Sequence, residues 1–459
     1  MLYKLVNLFL FKLMKQFYLL IILIGFTPIY SQFSTENDLD ISKLDSIFDA
    51  KEIDNKFMGT ISVFKNNKEI YSRSTGYSDV ENNIKSNSKT KYRIGSISKT
   101  FTSVIIMQLI EEGKLTLETK LSAFKPQVKL AEQITIEQLL SHRSGIYNYT
   151  DLKDYRSWKE TPMSDEELID KINKKGRRFK PNKKFEYSNT NYFLLSLIIE
   201  IIEGESFKKV VENKIIKPFK LSETYCCENI KNDETAKSYY KEGGLLKEAS
   251  DTDLRISSGA GGLISTSKDV NEFFNLLSNH KIISEESLDK MTNNLTNGDY
   301  GFGLMQIEFF DKTGYGHDGL IDGFISNAFI FPSDSLSITY LSNSFRMDIQ
   351  NLFAEIIGYN FKTDYVDSKK YSNLKLTKED LSHFEGIYTK RKKTTLKITE
   401  KNNILILNFN EIPTVDFALT PITQNRFKNE IMGIEIEFYK NEKFIHVYHK
   451  GEEIKFKKR

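Results

Sequence analysis

Ser96 and Lys99, in the stretch Tyr92-Arg-Ile-Gly-Ser96-Ile-Ser-Lys99-Thr-Phe-Thr102, are the side chains best placed to do chemistry. From Ser98 the apolar residues Phe101, Val104, Ile105 and Leu109 recur at helical spacing up to a stop at Gly113. A hydroxyl and an amine three residues apart at the start of such a helix share one face. The helix dipole favours negative charge there, which helps ionise the serine and lets its backbone N–H serve an oxyanion. A neighbouring lysine accepts the proton if burial or a nearby cation lowers its pKa. Two further stretches follow in order. Glu186-Tyr187-Ser188-Asn189 precedes a second apolar run, Tyr192–Ile202, which stops at Gly204. A tyrosinate there can relay a proton and the asparagine can hold a substrate amide; a packed tyrosine with a helix-capping asparagine has the same spacing. Gly314-Tyr-Gly-His317-Asp318-Gly319-Leu320 comes next. Its glycines allow close backbone approach by a ligand, and its histidine can donate to a substrate oxygen or tune Lys99 and Tyr187.

The ordered set Ser96-x-x-Lys99, Tyr187-x-Asn189 and His317-x-Gly319 resembles the three-box active site of the serine β-lactamase and penicillin-binding protein superfamily. The likeness is to its class C-like branch, which includes carboxypeptidases, esterases and D-aminopeptidases. Further stretches agree: Ile134-Thr-Ile-Glu-Gln-Leu-Leu-Ser-His142-Arg-Ser-Gly145, Gly259-Ala-Gly-Gly262-Leu-Ile-Ser-Thr-Ser-Lys-Asp269 and Tyr300-Gly-Phe-Gly-Leu304. The resemblance implies an acyl-enzyme on Ser96, with Lys99 and Tyr187 exchanging the proton and Tyr187 as base in deacylation. It implies an oxyanion hole from the backbone N–H groups of Ser96 and Leu320, and substrate binding by Asn189, His317, Asp318 and Gly319. No cofactor or metal is implied. Lys312-Thr313-Gly314 spells the third box literally, but His317-Asp318-Gly319 lies directly before the strands, as the family pattern requires, so Lys312–Gly314 is read as a turn into the strand. Asp318 departs from the family, whose middle residue is often a hydroxyl that binds a substrate carboxylate. A carboxylate there repels one, which favours ester or amide hydrolysis of a neutral or cationic substrate. A carboxypeptidase, a true β-lactamase and a catalytically idle penicillin-binding scaffold are the alternatives.

The expected fold is α+β, an antiparallel sheet flanked by helices with a helical subdomain, β-lactamase/transpeptidase-like. A hairpin is expected at Thr60–Lys65 and Lys68–Arg73 around Asn66-Asn67. A helix is expected at Ser267–Leu277 with Ser267 capping it, and strands at Ile325–Phe331 and Leu336–Leu341 around Pro332-Ser-Asp-Ser335. His142 is read as structural, since no Gly-x-Ser-x-Gly elbow accompanies it. Trp158 lies in a variable region, 147–180, that is expected to overhang the cleft. The boundaries read as 1–31 leader, 32–365 hydrolase, 366–375 linker and 376–459 a small antiparallel β domain, lipocalin-like in character. Six short strands are legible in that last segment: Gly386–Tyr388, Thr395–Thr399, Ile404–Phe409, Ile434–Tyr439, Lys443–His449 and Glu453–Lys457.

Of 459 residues, 65 are Lys or Arg and 62 Asp or Glu, a net charge of +3. Lys4, Lys12 and Lys15 account for the whole excess. They precede the apolar run Phe17–Phe26 and the small Ser31, the pattern of an export signal. The charge-balanced body excludes nucleic acid as a partner. A small-molecule or peptide substrate, an exported location and no membrane contact after signal cleavage are expected. The two cysteines, Cys226 and Cys227, are adjacent and build no disulfide framework. The six histidines form no metal-ligand pattern.

Overall fold

The structure is a computed structural model. It describes residues 41–459 apart from 54–57, 231, 233, 243–244, 294–295, 297–298, 310–311, 345–375, 391–393, 402, 410–411, 430–433, 440–442 and 450–451. The expected leader, 1–31, and linker, 366–375, lie outside the described residues.

One six-stranded antiparallel sheet organises the larger part of the chain. Its strands are β1 (Gly59–Lys65), β2 (Lys68–Thr75), β3 (Met305–Phe309), β4 (Lys312–Ile321), β5 (Phe324–Phe331) and β6 (Leu336–Ser342). They lie in the order β3-β4-β5-β6-β1-β2, so the first strands in sequence close against the last. Asn66 (φ 49°) and Asn67 (φ 64°) make the β1–β2 turn, left-handed conformations that asparagine tolerates. Every residue of β6 is buried, because both faces of the sheet are covered. Helix α1 (Ile41–Ile53) supplies Leu44 and Phe48 to one apolar cluster with Ile61, Val63, Phe331 and Tyr340. On the other face, Asn271 donates from Nδ2 to the Ser62 carbonyl at 2.8 Å. Asn271 belongs to the helix Ser267–Ser278, which packs on β1, β5 and β6. That helix is capped by Thr266, whose hydroxyl accepts from the Asp269 N–H, one residue before the expected Ser267. Lys312–Gly314, expected to turn into the strand, already belongs to β4 and pairs with β3.

Three helical segments form a bundle beside the sheet: α2 (Ser98–Glu111), α3 (Asn189–Glu203) and α4 (Leu254–Gly261), the last broken by a kink at Ser258. A Cβ at Gly259 would lie 2.7 Å from the Tyr192 carbonyl oxygen and 2.9 Å from Thr102 Oγ1. Only glycine lets α4 wedge this closely between the other two. Ahead of α2, Tyr92–Arg93 pairs with Leu263–Ser265, so the segment entering the helix is anchored at its start.

Residues 386–458 close into an eight-stranded antiparallel barrel, each strand pairing with its neighbours in sequence and the last with the first. Leu396, Ile398, Leu405, Leu407, Phe427, Ile436, Phe438 and Phe456 fill it. Two strands beyond the six expected complete it, Ile412–Pro421 and Arg426–Asn429. The first carries two prolines, which mask the alternation of Val415-Asp-Phe-Ala-Leu419, and the second is only four residues long. Among the described residues no helix is long and apolar enough to cross a membrane, and no group of three or more His, Cys, Asp or Glu could hold a metal ion. Cys226 and Cys227 are free thiols.

Candidate active site

Ser96 sits in a single turn of 3-10 helix, Gly95–Ile97, that runs straight into α2. Gly95 has φ +51°, and a Cβ there would come within 2.9 Å of the Leu320 nitrogen. A Cβ on Gly319 would lie 2.2 Å from the Ile94 carbonyl oxygen. Two glycines therefore let the Ser96 turn and the end of β4 press backbone to backbone. Strand β3 pairs with β4 only as far as Gly316, while residues 315–321 pair with β5. From His317 onward no strand among the described residues lies beside the β3-side edge of β4.

Lys99 is fully buried, and its Nζ makes three short contacts: Ser96 Oγ at 2.9 Å, Asn189 Oδ1 at 2.8 Å and the Ala260 carbonyl at 2.7 Å. The last two are acceptors only. A neutral amine has two N–H donors for them and one lone pair, and that lone pair is left for the Ser96 hydroxyl. Burial pushes the Lys99 pKa well below 10.5, opposed by the negative charge of Asp318. The Asn189 amide is fixed from its other end, Nδ2 donating to Thr150 Oγ1 at 3.2 Å. Asn189 is the first residue of α3 and does not cap it by its side chain.

The Tyr187 ring lies 4.8 Å from Lys99 Nζ, and the Ser96 side chain acts on its phenol. Burial raises the phenol well above its ordinary pKa, with Ser96 opposing, so tyrosine is held as the neutral form. Burial thus works against the tyrosinate considered from the sequence.

His142 holds this stretch in place. Its Nδ1 accepts from the Ser188 backbone N–H at 3.2 Å, and its carbonyl accepts from Glu186 N at 3.0 Å. Its ring lies 4.3 Å from that of Tyr187. Burial, with the positive charges of Lys99 and His317 against it, pushes its pKa well below 6.5. The structural role expected for His142 matches these contacts; the nearby Ser144 donates to Asn191 Oδ1.

His317 is buried behind the site. Nδ1 lies 2.5 Å from the Asp318 carbonyl, which can only accept, so Nδ1 carries a proton. Nε2 lies 3.1 Å from the Tyr300 hydroxyl and accepts from it in the neutral ring. Both nitrogens are thus engaged within the protein, and His317 braces the strand in place of offering a donor to substrate. Asp318 and Leu320 point the other way, with Asp318 59% and Leu320 60% exposed.

The structure brings Ser96, Lys99, Tyr187, Asn189, His317, Asp318, Gly319 and Leu320 to one place. Sequence reasoning missed Tyr300, the Ala260 carbonyl, Thr150 and a buried acid, Asp322. Nothing in the spacing of Tyr300-Gly-Phe-Gly points to a histidine 17 residues on. Asp322, at the β4–β5 turn, accepts from Arg93 at 3.2 Å, Lys159 at 2.8 Å and both the N–H and hydroxyl of Thr252, at 2.9 and 2.8 Å. Arg93 and Asp322 flank Ser96 and Leu320, so this knot fixes both sides of the backbone junction. Trp158 is buried beside it, its ring edge-on to Tyr155 at 5.1 Å.

Comparison with known proteins fits this geometry. Teichoic acid D-alanine hydrolase of Staphylococcus aureus is 27% identical over 344 residues, covering 70% of this chain and 82% of that protein. A D-stereospecific amidohydrolase from Streptomyces sp. superposes with a TM-score of 0.62 at 24% identity, over 70% of this chain and 98% of its own. The octameric penicillin-binding protein homologue from Pyrococcus abyssi superposes at 0.65 and 23% identity, over 91% of this chain and 100% of its own. The Beta-lactamase family model matches residues 45–354, more than half of the sequence, and the chain belongs to that family of serine hydrolases.

Proposed function

We propose that the protein is an exported serine hydrolase that forms an acyl-enzyme on Ser96 and hydrolyses an ester or amide. The observation that carries this reading is the setting of Lys99: two contacts that only accept, and a third to a hydroxyl that can donate. As Ser96 Oγ attacks the carbonyl carbon, its proton passes to Lys99 Nζ, and the carbonyl oxygen becomes an oxyanion facing the N–H groups of Ser96 and Leu320. Collapse of this intermediate breaks the bond to the leaving group, which takes the proton from Lys99 through the Tyr187 hydroxyl. Water then attacks the acyl carbon, gives a proton back along the same path, and Ser96 leaves as the alcohol with release of the acid. Asn189 orients the substrate from the opposite wall, and Gly319 keeps the strand close enough for Leu320 to take part.

The names of the Staphylococcus and Streptomyces relatives, a D-alanine hydrolase and a D-stereospecific amidohydrolase, support aminoacyl esters or amides as the substrate class. The basic leader at 1–31 supports export, with 32–365 as the hydrolase and 376–459 as a separate β domain. Labelling with a fluorophosphonate probe and intact-mass measurement tests the nucleophile. The native protein gains one probe mass and Ser96→Ala gains none; labelling that survives the substitution removes Ser96 from the role.

A further inference from the structure

Asp318 is the one charged side chain within the box Asp318-Gly319-Leu320, and it lies on the edge of β4 that no strand among the described residues covers. The alternation of the strand turns His317 inward against Tyr300 and sends Asp318 and Leu320 outward. Two residues further on, the Leu320 nitrogen abuts the turn that carries Ser96. Among the described residues no lysine or arginine lies within ion-pair distance of the Asp318 carboxylate; the His317 ring is beside it, Nδ1 to Oδ1 3.5 Å. The negative charge is nonetheless felt inside the site, where it opposes the neutralisation of Lys99 and disfavours ionisation of Tyr187 and Tyr300. An exposed carboxylate with no lysine or arginine in ion-pair contact among the described residues, beside a nucleophile, is a position that a substrate cation can fill.

We propose that Asp318 is a specificity-determining residue that selects substrates carrying an ammonium group near the scissile carbonyl, on either the acyl or the leaving-group side. This rests on Ser96 being the nucleophile. A cation there gains the field of Asp318, whereas a carboxylate in the same position meets a like charge. Leu320, exposed next to it, offers apolar surface for the carbon skeleton that carries the ammonium.

Matched esters test the idea on the full-length protein. D-alanyl and propionyl esters of one phenol place or omit an ammonium on the acyl side. Acetylcholine and 3,3-dimethylbutyl acetate do the same on the leaving side. At least one cationic member is expected to exceed its neutral partner in kcat/KM, beyond their difference in spontaneous hydrolysis, by about tenfold, a difference of about 1.4 kcal/mol. That ratio falls toward one in both Asp318→Asn and Asp318→Ser, and shrinks with added salt in the native enzyme. Cation-to-neutral ratios near one in the native protein, or ratios that both variants leave intact, would overturn the proposal while leaving Ser96 in its role. Turnover of these esters that survives Ser96→Ala would remove the nucleophile and the proposal with it.

Discussion

Lys99 is buried among groups that can only accept its protons or share one, and the cost of holding a charge there drives it toward the neutral amine. The sign of the pH dependence follows. Lys99 must be neutral to take the Ser96 proton, so kcat/KM rises with pH through its lowered pKa, giving an acid limb well below the ordinary lysine range. Asp318 raises the Lys99 pKa, so its removal lowers it; in Asp318→Asn the acid limb is expected to move to lower pH. A limb that stays fixed or moves upward in that variant would show that another group controls it. The same burial acts on stability. Between the lowered Lys99 pKa and 10.5 the unfolded chain binds the extra proton, so the native state gains stability as pH rises through that window.

At the scale of elements, catalysis depends on the Ser96 turn and the open end of β4 staying in contact. Arg93 and Asp322 tie them together from three residues before Ser96 and two after Leu320, and Lys159 and Thr252 bring the neighbouring loops into the same knot. Both acid and guanidinium are almost wholly buried. Removing Asp322 leaves Arg93 its contacts to Asp251, the Thr252 carbonyl and Asn229 but takes the acid from Lys159 and Thr252, at a cost below the roughly 3–5 kcal/mol of a fully stranded buried charge. Asp322→Ala is therefore expected to lower the denaturation midpoint in guanidinium chloride and to reduce kcat more than it changes KM; a variant with native stability would show the knot to be ornamental. None of this was legible beforehand. Ser96-x-x-Lys99 and Tyr187-x-Asn189 were readable because their members are close in sequence and sit where a helix begins. The hairpin was readable because Asn66-Asn67 states its own turn. Arg93 and Asp322 meet across more than two hundred residues, and no periodicity records such a meeting. The second and third boxes became informative only as an ordered set. The inward turn of His317 depends on Tyr300, which pattern alone left without a role.

For the whole molecule, the order of the sheet decides which segments the site can lose. β1 lies between β6 and β2, pairing along its full length with both, so the earliest strand of the described chain is a central strand. Its partner β6 ends at Ser342, and among the described residues no strand of the sheet comes from beyond that point. The barrel at 386–458 pairs only with itself and fills its interior with its own side chains. Removal of the two parts therefore has opposite consequences. A chain ending before residue 376 keeps every strand and helix that holds Ser96, Lys99, Tyr187 and Asn189, and is expected to take up a fluorophosphonate at Ser96 at a rate close to that of the full chain. A chain beginning at Lys68 loses β1, exposes the inner edges of both β6 and β2, and is expected to be insoluble or unlabelled. The comparison is sharp because the first deletion removes more residues than the second. If the barrel deletion abolished labelling while the protein remained folded by circular dichroism, the barrel would be part of the working site, and the separation of 32–365 from 376–459 would have to be abandoned.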